Sequence, residues 1–166
     1  MVDVLVVFLL FANVIGGYTR GTLRQLWSLG VLAVSAFLSG YIYQVLAGPI
    51  SQFIHSDPGS KLASFVVAYA VISIVLHGPV DTVVQLEKRY HGPLAAVDDR
   101  LAGAILGAIE AIGAVQVAAA LLIAFPVLGW DGWVRSSSLI PTFINQLPFM
   151  FPLLPPHLHT VLTVIK

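Results

Sequence analysis

Apolar residues run along the chain in four long blocks: Val4 to Gly17, Leu23 to Val45, Leu62 to Leu86 and Leu101 to Val127. None carries the regular polar face of a helix that packs on a water-soluble core. A helix rises 1.5 Å per residue, so about 20 apolar residues cross a hydrocarbon layer of about 30 Å. The last three blocks reach that length; the first is short for a span, and should run nearly upright, thin the bilayer locally or extend its helix through Tyr18. The pattern predicts an all-α integral membrane protein with four transmembrane helices, spanning about 4–18, 23–45, 62–86 and 101–127. After Val127 the character changes, because Trp130, Trp133 and Phe143 mix with Pro141, Pro148, Pro152, Pro155 and Pro156. No long helix persists through such prolines, and tryptophan favours the membrane boundary. Residues 128–166 are therefore expected as an extracytoplasmic interfacial tail with short helices, around Thr142 to Leu147 and His157 to Ile165.

The breaks carry turn chemistry: Gly16-Gly17 with Gly21, then Gly48-Pro49 and Asp57-Pro58-Gly59, then His91-Gly92-Pro93. Asp98 or Asp99 suits the N-cap of the fourth helix, where a carboxylate accepts orphan amide hydrogens.

Composition agrees with lipid as the solvent. Hydrophobic residues make up 58% and charged residues 10%, where soluble domains carry about 25% charged residues. Net charge is zero and no basic run occurs, which excludes nucleic acid as a partner. Cysteine is absent, and with it thiol chemistry and cysteine-ligated metal. The first base is Arg20, so a cleaved leader is not expected. Arg20, Arg24, Lys88, Arg89 and Arg100 fall on one side of the four spans, against Lys61 and Arg135 on the other. Excess base marks the cytoplasmic side and so places both termini outside the cytoplasm.

The fourth helix sets Gly103, Gly107, Glu110 and Ala114 at spacings of three and four, with Ala111 beside them, a ladder that lets helix backbones approach. Ser28, Ser35 and Ser39 offer a matching seam on the second helix. Glu110 lies about 16 Å along its helix from Asp99, close to the bilayer centre. His77 and Asp81 are four apart on the third helix, around Gly78-Pro79, at a matching depth. Two readings of Glu110, His77 and Asp81 stay open: a cluster that relays protons or holds a transported ion, and an interhelical hydrogen bond that fixes packing. The second is favoured. His157 and His159 are too few to hold a metal, and Ser136, Ser137 and Ser138 lack a nucleophile's frame. No enzyme activity and no cofactor is expected.

Three patches resemble the colicin V production protein (CvpA) family of small bacterial inner-membrane proteins. They are Arg20-Gly21-Thr22-Leu23-Arg24 before Ser28-Leu29; Asp99-Arg100 before Gly103 and Gly107; and Ser137-Ser138-Leu139-Ile140-Pro141. Asp3 also falls where such proteins have an early aspartate. The resemblance implies four spans with external chain ends, in the bacterial cytoplasmic membrane, and a link to toxin production or secretion and the cell envelope. Two positions depart from it: Gln25 stands where the family often has an acid, and Glu110 where it often has an arginine. The expected partners are the lipid bilayer and either a second copy or another membrane protein, joined through helix packing. The alternative is a small oligomeric channel or proton-coupled transporter using the buried acid and histidine.

Overall fold

The computed structural model describes residues 2–80, 96–127, 129, 132, 134 and 136–146. Five helices order these residues: α1 (Val2–Arg20), α2 (Thr22–Ser51), α3 (Asp57–His77), α4 (Ala96–Ala124) and α5 (Leu139–Gln146). The first four are long and apolar enough to cross a membrane. Their 19, 30, 21 and 29 residues correspond to about 28, 45, 31 and 43 Å. The first span thus starts earlier and ends later than its apolar block, and reaches the needed length. Because α2 and α4 are longer than the hydrocarbon layer, they must tilt or project at their ends.

The helices pack in the order α1, α4, α2, α3. Alternate spans run in opposite directions, so Asp3, Ser51, Asp57 and Ala124 lie toward one end, and Arg20, Thr22, His77 and Ala96 toward the other. Each contact has a cause in residue size. α1 meets α4 through glycines: a Cβ on Gly17 would collide with the Gly103 carbonyl, and one on Gly107 with the Asn13 carbonyl. Bare backbones then touch, and dispersion holds them where lipid offers no hydrophobic preference for one apolar neighbour over another. α2 meets α3 through small buried residues, among them Ser35, Ala36, Ser39 and Gly40 on α2 and Ser60, Ser64 and Ala68 on α3. α4 is the most covered span and carries much of the core, including Val115, Ala119 and Ala120. Just beyond its C-terminal end Phe125 meets Tyr43 edge to face, their centroids 5.6 Å apart.

Several local expectations change. α2 continues through Gly48-Pro49 to Ser51, because glycine has no Cβ to clash with the ring that follows. α3 starts at Asp57, five residues before its apolar block, and residues 81–86 of that block lie outside the described residues. α4 opens at Ala96, so Asp98 and Asp99 sit in its first turn and neither is its N-cap. α5 falls within the tail, beginning three residues before the helix expected at Thr142. Asp81, Lys88, Arg89, Trp130, Trp133, Arg135, His157 and His159 lie outside the described residues.

Candidate functional site

The polar side chains inside this apolar body sit where helices meet. At the arginine end, the α1–α2 link turns on Gly21, whose φ of +83° belongs to glycine. Gly21 has no side chain to cap α2, and Asp99 of α4 supplies the missing acceptor. The Thr22 backbone N–H donates to Asp99 Oδ1 at 2.9 Å, and the Thr22 hydroxyl donates to the Asp99 carbonyl at 2.8 Å. A Cβ on Gly21 would strike the Asp99 carboxylate. Arg20-Gly21-Thr22 and Asp99-Arg100 are therefore two halves of one joint. Arg100 is part of it on the other side, with its guanidinium 5.9 Å from the Tyr18 ring centroid.

A second joint of the same kind closes the opposite end. Asp3 of α1 accepts hydrogen bonds from the Ser137 hydroxyl, from the Ser138 hydroxyl at 3.0 Å and from the backbone N–H of Ser138 and Leu139, both at 3.4 Å. The Ile140 N–H donates to Ser137 Oγ at 3.2 Å. Asp3 thus caps α5, and Pro141 sits in the first turn, where its missing N–H leaves nothing unmade. The buried Gln116 of α4 ties down the same helix, donating from Nε2 to the Phe143 carbonyl at 2.9 Å.

Glu110 forms the third joint, in the middle of the body. Its carboxylate accepts from Gln25 Nε2 and, at 2.6 Å, from the Ser28 hydroxyl, so both oxygens are bound by α2. Gln25 is 1% exposed and its Oε1 has no partner. The two positions read from the resemblance as departures, Gln25 and Glu110, are thus each other's hydrogen-bond partners.

His77 is partnered elsewhere. Its Nδ1 lies 2.9 Å from the Ser73 carbonyl; a carbonyl only accepts, so this nitrogen carries a proton. His77 also lines a cavity of about 260 Å³ with Arg20, Arg24, Ser28 and Val80. Ser28 therefore touches Glu110 on one side and this cavity on the other. Of the proposed small-residue ladder, Gly103, Gly107 and Ala111 are buried, the glycines against α1, while Ala114 is exposed. Of the serine seam, Ser28 reaches Glu110 and Ser39 donates to the Ser35 carbonyl at 2.5 Å, while Ser35 Oγ is buried without a partner. The seam meets the ladder at Ser28 and Glu110, while the glycines face α1.

Sequence reasoning did not single out Gln116 or Trp27, and marked Gln25 as a departure from the resemblance without assigning it a contact. Gln25 offered one signal, since it stands three residues before Ser28 on a shared helical face. The fourth helix similarly repeats polar residues at Glu110 and Gln116 within an otherwise apolar run.

A family model described as Colicin V production protein matches residues 2–148. No curated protein and no solved structure matches the chain.

Proposed function

Because the chain belongs to the colicin V production protein family, and so is a membrane protein tied to colicin V production, we propose that it acts as an assembly subunit. It packs against a second copy or another membrane protein in the bacterial cytoplasmic membrane and in that way supports toxin secretion or envelope upkeep. The observation that carries this is the state of α1, the least covered of the four spans, with 11% of its apolar window buried against 22–50% for the others. Its open face bears Val4, Phe8, Phe11 and Ile15, which are 72%, 68%, 67% and 50% exposed. Their spacing of four, three and four is that of a helix seam. The partnering of Glu110 fits the same role, since its carboxylate is engaged in joining α2 to α4. Arg20, Arg24 and Arg100 at one end against Lys61 at the other support a cytoplasmic arginine end and outward-facing α5.

The chain lacks cysteine, so single cysteines at positions 4, 8, 11 and 15 report cleanly on neighbours. Crosslinked pairs at these positions in native membranes, and none at the α4-facing Asn13, are expected for a second copy. Heterogeneous adducts with the same periodicity would identify a different membrane protein, and no adduct at any position would reject the α1 interface.

One observation favours a second reading, transport: Ser28 joins the mid-membrane carboxylate to a polar cavity. Proteoliposome flux of protons or ions that Glu110→Gln abolishes, with folding intact, would support transport over assembly.

A further inference from the structure

Along α2, Arg24, Ser28 and Leu32 recur every fourth residue, and along α3 Phe65, Tyr69, Ser73 and His77 do the same, so each set forms one stripe. The two helices are antiparallel neighbours, and the Trp27 indole donates to the Leu76 carbonyl at 3.0 Å. This contact brings Arg24 to within about a turn of His77 in height, and Leu32 to within about a turn of Tyr69. The stripes run past two separate cavities of different character, taken here as the two halves of one furrow. At the arginine end is the polar cavity of about 260 Å³. One turn deeper, at Leu32, begins an apolar cavity of about 220 Å³ that Phe65, Val66 and Tyr69 line with α4.

We propose that this furrow binds one anionic phospholipid, its phosphate against Arg20 and His77 and an acyl chain along the apolar half. The polar half lies where α1 ends and α2 begins, the level of the membrane boundary, and basic pockets between spans are suited to acidic headgroups. Arg20 forms no ion pair among the described residues, whereas Arg24 has a partner of its own, so the phosphate is assigned to Arg20. His77 keeps its second ring nitrogen for the ligand, because Nδ1 is held by Ser73. Among the described residues, Glu110 is held by Gln25 and Ser28 and Asp99 by Thr22. The apolar continuation selects lipid over a free anion, since an acyl chain gains contact along the furrow and inorganic phosphate cannot.

Native mass spectrometry of the full chain in detergent tests this with phosphatidylglycerol and phosphatidylethanolamine of identical chains. One phosphatidylglycerol should be retained in preference to its zwitterionic counterpart, and Arg20→Gln and His77→Gln should each weaken that retention by about fivefold. Val66→Trp, which fills the apolar half from an exposed position, should weaken it as well. Equal binding of the two lipids, or phosphatidylglycerol binding unchanged in both headgroup variants, would overturn the proposal. Displacement of the lipid by inorganic phosphate, with Val66→Trp without effect, would make the cavity a free-anion site and overturn it too. Arg20 and His77 are both exposed, so an unaltered size-exclusion profile is expected for either variant and confines the readout to binding.

Discussion

Gly21 and Asp99 meet at a joint where neither tolerates a substitute. Gly21→Ala should cost about 1–2 kcal/mol from the left-handed backbone, and more as its Cβ displaces the carboxylate. Asp99→Ala should cost about 1 kcal/mol as a lost helix cap. Thermal melts in detergent read both as a lower Tm, and combining the two should give less than the sum, because they break the same contact. Gln25 and Glu110 make a sharper test. Gln25→Glu sets two carboxylates together in a buried site and Glu110→Arg removes the acceptor, so each alone should lower the Tm. The double variant places opposite charges on the same two helices and should recover much of the loss, with a coupling of about 1 kcal/mol or more. Additive losses would show that the two positions act independently. At this scale the sequence was only partly legible: that Glu110 sits within the span and needs a partner follows from its position, but its partner is set by which helix lies alongside. Asp99 was recognised as a helix cap, yet the helix it serves is 77 positions away in the chain.

Between elements, contact is decided by glycine on one side and by borrowed caps on the other. Gly107→Leu should separate α1 from α4, since its side chain would occupy the space of the Asn13 carbonyl. Thiol labelling of a cysteine at Val6, buried on the α4-facing side of α1, should rise sharply, while the α2–α3 pair, which shares none of these contacts, keeps its protection. Asp3→Ala removes the acceptor shared by Ser137, Ser138 and Leu139. A cysteine placed at the buried Ile144 should then react with a maleimide several times faster than in the parent. Equal rates would mean that Gln116 alone holds α5. The spacing of Gly103 and Gly107 announced a close-packed face without naming its mate. Gly16-Gly17 read as a turn, although Gly17 lies inside α1 and serves as the counterface.

For the molecule as a whole, class and span number follow from apolar block length alone, since nothing but a helix satisfies its own backbone in lipid. The lateral order could not be read in this way, because lipid-facing and protein-facing residues are equally apolar. An alkaline phosphatase fused after residue 146 should be active in cells, and one inserted after Arg20 inactive. The reverse pair would invert the membrane orientation without altering the fold.

The order α1, α4, α2, α3 also has a consequence in time. The ribosome delivers α1 first and its principal neighbour α4 last of the four. At roughly 5–20 residues per second, the intervening stretch of about 75 residues takes roughly 4–15 seconds to emerge. During that interval the α2–α3 hairpin can already close, while α1 waits in the bilayer with Gly17 facing lipid and Asp3 without the serines it will later hold. The earliest-made span is thus the one most exposed to capture by another chain during biogenesis.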